Sequence, residues 1–112
     1  LSANRLIFGL FLVSTATVWG ATPTFASQPD AGRQKELVRL VRQDCGSCHG
    51  MTLQGGLGPA LLPANLKEKP AEGLAATIYY GRPGTPMPPW KQFMSEAEAA
   101  WIVEKLMSEF PK

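Results

Sequence analysis

Both cysteines and the only histidine of this 112-residue chain fall within five positions, as Cys45, Cys48 and His49 in "QDCGSCHG". Shuffling these three residues through the chain gives the order C-x-x-C-H in roughly one arrangement in six thousand, so the cluster is not a product of chance. The chemistry that uses this order is covalent haem attachment: two thiols form thioether bonds, and the adjacent imidazole ligates iron from one side. Two rivals use the same residue types. A thioredoxin-like dithiol sits where a strand enters a helix, yet the segment before Cys45 reads as helical and nothing in the chain alternates with strand period. A closed zinc site takes four ligands, and this chain offers three residues of the right type besides carboxylates.

Haem iron takes a ligand from each side, and with no second histidine the other side falls to a methionine, to water or to nothing. Of the four methionines, Met51 is tethered on the His49 side, Met94 just precedes a helix cap, and Met107 lies in the last helix off its apolar stripe. Met87 is left, in "TPMPP", with Pro83, Pro86, Pro88 and Pro89 restricting the unfolded chain and lowering the entropy lost when a weak thioether bond forms. A ligating imidazole gives its other N–H to an acceptor that fixes the ring, and the Pro59 carbonyl in "GLGPAL" is the natural one. Gly55, Gly56 and Gly58 let the chain turn beside the haem. A phosphate-binding loop is the competing use of these glycines, but the preceding strand and the Lys-Ser/Thr pair are missing. Leu57, Leu61, Leu62, Leu74, Ile78, Ile102 and Leu106 are expected to be core packed on the haem.

Three helices position these groups. The first is expected from the N-cap Asp30 to Gln43, with Leu37, Leu40 and Val41 on one face. The second is "PAEGLAATIYYG", with Pro70 in its first turn, Leu74, Thr77 and Ile78 on one face, and Gly81 in a left-handed C′ position. The third starts at Ser95 with Glu98 completing a capping box, carries Ala99, Ile102, Val103, Leu106 and Phe110 as one stripe, and stops before Pro111. Two Gly/Pro-rich loops, "GGLGPALLP" and "GRPGTPMPPW", join them, so the fold class is all-α with long functional loops.

Residues 1–26 carry a basic start at Arg5, an apolar run from Leu6 to about Val18 and small residues at Thr24 and Ala26, the pattern of a secretory signal cut after Ala26. The run is shorter than the roughly 20 apolar residues of a spanning helix. Export leaves one domain, 27–112, with ten basic residues against nine acidic. Two haem propionates bring its formal charge to about −1, so strong charge steering is not implied, and no basic stripe suggests nucleic acid. A domain this small needs a staple, and a buried haem serves as one.

"CGSCHG", "GGLGPAL", "YYGRPGTPMPPW" and "SEAEAAWIVEKL" together resemble a class I c-type cytochrome over the whole of 27–112. Within that class, "RQDCGSCHG" joined to "GRPGTPMPPW" is similar to the small NirC-type monohaem cytochromes associated with the cytochrome cd nitrite reductase of denitrifying bacteria. The resemblance implies a small fold of three to four helices round one covalent haem c. It makes Cys45 and Cys48 the thioether anchors, His49 and Met87 the axial ligands, and Pro59 the acceptor from His49. It implies a periplasmic carrier of single electrons rather than an enzyme, serving the nitrite reductase or the maturation of its d-type haem. An assembly factor for d-type haem synthesis is the alternative, and a ligand sensor or weak enzyme is a third reading that requires Met87 to leave the iron. The pattern departs from the class at one helix crossing: a glycine and aromatics are usual where Leu37, Val41 and Lys105 stand, and Trp101 either supplies the bulk or lies half-exposed. No membrane span is expected after cleavage. The protein is expected to be mainly monomeric, with a minor dimer formed by exchanging the segment from the second helix onward.

Overall fold

The structure, a computed structural model, describes residues 28–112; the signal segment expected over 1–26 and the cleavage expected after Ala26 fall outside the described residues. Five α-helices and one π-helical turn make up the regular structure, with no strand among the described residues. Helix α1 spans Ala31–Leu40, and the Asp30 side chain accepts the Arg33 backbone N–H at 3.0 Å as its cap. The helical run does not stop at Gln43 as expected. Val41–Cys45 continue as a π-helical turn and α2, Gly46–His49, completes the run, which ends at Gly50 with φ +88°. The apolar face fades after Val41, so periodicity lost sight of a helix whose last turns serve chemistry instead of packing.

Pro63 opens a short α3, Pro63–Leu66, at the position where proline's missing N–H costs nothing. Helix α4 spans Ala71–Tyr80 behind Pro70. Gly81 ends it with φ +70° and ψ −173°, extended beyond the left-handed helical conformation expected there. Helix α5 spans Glu96–Met107, and both halves of the capping box form: Glu98 N–H donates to Ser95 Oγ, and Ser95 N–H donates to Glu98 Oε2 at 2.7 Å.

The core gathers Leu37 and Val41 of the first helical run, Leu53 and Leu66 of the middle segment, and Ala99, Trp101, Ile102 and Leu106 of α5, with Phe110 beyond it. Trp101 is buried, and Lys105 lays its ammonium 5.6 Å from the indole centroid. Trp101 is thus not half-exposed: it lies in the same core cluster as the wholly buried Leu37 and Val41. Two arginines, one towards each end of the first helical run, grip the chain on either side of α5. Arg33 donates to Glu98 through Nε at 2.6 Å, to the Phe93 carbonyl through Nη2 at 2.6 Å, and to Glu36 through Nη1 at 3.0 Å. Arg42 donates to the Pro111 carbonyl at 2.7 Å and sits 5.2 Å from the Phe110 ring centroid. Planar guanidinium forks suit such multiple contacts, which a lysine would not reproduce.

The Arg33 hydrogen bond holds the Glu98 carboxyl below its ordinary range, helped by the Ser95 N–H and opposed by partial burial. A carboxyl depressed on folding stabilises the native state above its unfolded pKa of about 4.3, and that contribution is lost as pH falls through the folded value. Glu98→Gln keeps the capping acceptor and removes the charge, so it should cost about 1 kcal/mol at neutral pH. Urea titrations of both proteins should show that difference vanish below the carboxylate range.

Candidate haem site

The π-helical turn delivers the motif. The π turn includes Cys45 and rotates everything after it, Cys48 and His49 included, relative to the helix before it, a device common at functional sites. Cys45 is half-buried and Cys48 exposed, and the two form no disulfide. Burial, with a smaller push from the Asp44 carboxylate, raises the Cys45 thiol to about 11. A nucleophilic dithiol requires the opposite shift, since the thiolate is the reactive form.

His49 Nδ1 lies 2.7 Å from the Pro59 carbonyl oxygen. A carbonyl only accepts, so Nδ1 carries the proton and Nε2 keeps a lone pair for a metal. The loop after His49 is shaped to make this bond. Its amides satisfy the carbonyls that end α2: Gly55 N–H donates to the His49 carbonyl at 2.8 Å and Gly58 N–H to the Cys48 carbonyl at 2.7 Å. The imidazole rests against Gly58, where an added Cβ would stand 2.7 Å from Cε1 and 2.8 Å from Nδ1. Leu53 pins the same loop, its side chain buried although its backbone takes φ +61°. Nothing in the sequence singles Leu53 out, because only the closed loop reveals why a leucine would accept that conformation.

The second loop carries Met87, which is partly buried. Arg82–Thr85 form a turn closed by Thr85 N–H to the Arg82 carbonyl at 3.1 Å, with Pro83 and Gly84 (φ +78°) at its centre, the residues a type II turn requires. The Thr85 hydroxyl donates to the Arg82 carbonyl at 2.7 Å and accepts the Met87 N–H at 3.3 Å. Thr85 went unnoticed in the sequence, although the "RPGT" turn is legible there. Met94 is buried in the core, Met107 packs against the core, and Met51 is 63% exposed.

These residues suit a haem. The thiols and the oriented imidazole stand at one helix end, and Leu61, Leu62, Leu74, Ile78 and Trp90 from three segments present apolar side chains that protein atoms cover only in part. Ile102 and Leu106 are buried as expected of core. Leu57 is not covered by protein atoms: it is 95% exposed, because the loop turns its backbone inward to reach Cys48 and His49 and leaves this side chain at the tip.

Residues 32–104 match the family model of cytochrome c oxidase, cbb3-type, subunit III. The chain is 52% identical over 99 residues to cytochrome c55X of Pseudomonas aeruginosa, covering 88% of this chain and 83% of that one. Among solved structures it superimposes on the c-type cytochrome NirC with a TM-score of 0.73 and 54% identity, covering 75% of this chain and all of that one. This chain is a NirC-type c-type cytochrome. Membership makes it a small all-α haem protein and an electron carrier, not an enzyme. A further relative is an enzyme of which only a part is shared: dihydro-heme d1 dehydrogenase of Pseudomonas aeruginosa is 39% identical over 74 residues, 65% of this chain and 15% of the enzyme.

The Nδ1-protonated tautomer of His49 should be visible by long-range nitrogen–proton NMR of the reduced protein. Gly58→Ala pushes a methyl group into the ring and should shift or broaden the His49 resonances, whereas an unchanged spectrum would mean that Gly58 does not hold the imidazole.

Proposed function

We propose that this cytochrome carries one haem, bound covalently through Cys45 and Cys48 with His49 and Met87 as axial ligands, and that it moves single electrons in the periplasm for the nitrite reductase or d-type haem pathway of denitrification. When bound, haem supplies a one-electron iron couple, and the protein supplies position and environment. The two cysteines fix the ring's place at the end of α2. Pro59 and Gly58 hold the His49 imidazole so that Nε2 presents its lone pair, and the hydrogen bond to Pro59 raises the basicity of the ligand. Met87 would supply the second ligand to the iron, a thioether that favours the reduced form and would leave no position for substrate. Leu61, Leu74 and Ile78 exclude water, which raises the potential further.

The observation that carries the pathway is the kinship with part of a dihydro-heme d1 dehydrogenase, an enzyme whose named reaction withdraws electrons from a d-type haem precursor. Removing two hydrogens releases two electrons, and a monohaem carrier takes one per encounter, so two encounters complete each turnover. The same kinship favours a second reading, in which the cytochrome serves d-type haem assembly alone and is not a respiratory donor.

An apolar rim of Leu57, Pro88 and Pro89, all exposed, with Met87 partly buried behind it, suits brief docking through a small interface. With ten basic residues against nine acidic in 27–112, the charges nearly cancel and leave little net attraction for salt to screen.

Intact mass after acid–acetone extraction should exceed the bare mature chain by one haem, and a bare-chain mass would end the covalent reading. Stopped-flow mixing of the reduced protein with nitrite reductase, and of the oxidised protein with the dehydrogenase and its substrate, separates respiration from assembly. Transfer to the reductase is expected to be rapid and to change little with ionic strength. Transfer with the dehydrogenase alone would favour assembly, and a steep fall in rate with salt would contradict the apolar rim.

A further inference from the structure

Gly81 ends α4 in a backbone conformation, φ +70° and ψ −173°, that is essentially confined to glycine. A Cβ added there would stand 2.7 Å from the Pro88 carbonyl carbon and the Pro89 nitrogen, and 2.9 Å from the Met87 carbonyl oxygen. The backbone that follows the Met87 side chain therefore rests directly on the Gly81 Cα. Three hydrogen bonds fasten the same two segments together: Arg82 N–H to the Met87 carbonyl, Trp90 N–H to the Ile78 carbonyl, and Lys91 N–H to the Tyr79 carbonyl, each at 3.1 Å. The Ile78 and Tyr79 carbonyls belong to the last turn of α4 and have no partner within the helix. The methionine segment caps α4, and α4 in turn is the template on which that segment is laid.

Gly84 provides a contrast within the same loop. It also has a positive φ, +78°, but a Cβ there would meet nothing within 4 Å. Substitution at Gly84 imposes backbone strain alone, whereas substitution at Gly81 adds a collision with backbone that no side-chain rotation can relieve.

We propose that Gly81 is a positioning residue for the Met87 thioether: its missing side chain lets the 87–89 backbone seat on the last turn of α4, and this seating sets where the Met87 sulfur stands. The prolines around Met87 lower the entropy of the free loop but do not by themselves fix it relative to the helix. Release of Met87 from iron and unfastening of the last turn of α4 are then one event. The inference rests on Met87 being the iron ligand and adds the residue that places it.

The test compares Gly81→Ala, Gly84→Ala and Met87→Ala holoproteins by the weak thioether-to-iron absorption band, with covalent haem followed by mass and helicity by far-ultraviolet circular dichroism. Met87→Ala should abolish the band. Gly81→Ala should keep the haem and most helicity while lowering the ratio of thioether-bound to unbound protein by more than about tenfold, and Gly84→Ala should retain the band. A full band in Gly81→Ala with none in Met87→Ala overturns the positioning role and leaves the ligand reading intact. A full band in Met87→Ala overturns both. Equal loss in Gly81→Ala and Gly84→Ala assigns the effect to loop strain and also overturns the role. Should Gly81→Ala fail to accumulate, amide exchange in the unaltered protein decides: the Trp90 and Lys91 amides should exchange slowly and at similar rates, and unprotected exchange at both contradicts the seating.

Discussion

The hydrogen bond from His49 Nδ1 to the Pro59 carbonyl, 2.7 Å long, is the contact around which the rest of the site is arranged. Forming it demands that a loop of ten residues return to the helix end it left, and each feature of that loop serves the return. Its amides take up the carbonyls at the end of α2, Leu53 accepts a left-handed backbone to bury its side chain, and Gly58 offers the imidazole a surface without a side chain. A buried or half-buried donor left without such a partner costs on the order of 1–3 kcal/mol, so the ring and the loop fix one another.

The same economy runs through the packing. A domain of this size has little core to spare, and α4 has no residue wholly buried by protein atoms; Leu74, Ala75, Ile78 and Tyr79 are covered only in part. Haem against that face would complete the core, so cofactor binding and the stability of α4 are coupled. Where protein meets protein, at the crossing of the first helical run with α5, two arginines supplement the apolar contact of Leu37, Val41 and Trp101. Arg33 ties α1 to the first turn of α5, and Arg42 ties the π-helical turn to the tail beyond it.

Local signals in the sequence carried much of this. The capping residues Asp30, Ser95 and Glu98, the apolar stripe of α5, the start of α4 and the attachment motif depend on neighbours within a few positions, and periodicity and cap chemistry report such neighbours faithfully. The Pro59 acceptor was legible because a ligating imidazole needs one and the choice nearby is narrow. What escaped depends on contacts between distant segments. The first helical run continues past Val41 through residues that do not extend its apolar face, so its periodicity fades before the helix ends. Leu57 reads as core by type, yet the loop's inward backbone leaves it exposed. The grip of Arg33 on Glu98 spans 65 positions, and no local pattern announces it. Gly81 reads as a routine helix terminator, and only the folded chain shows the second segment lying against it.

Iron held between the His49 nitrogen and the Met87 sulfur is the proposal on which the electron-transfer chemistry depends. Iron-edge X-ray absorption of the purified holoprotein, in both oxidation states, tests this most directly. The fine structure should require a sulfur scatterer beside the nitrogen shell, at a distance that changes little on reduction. A first shell of nitrogen and oxygen alone would contradict it.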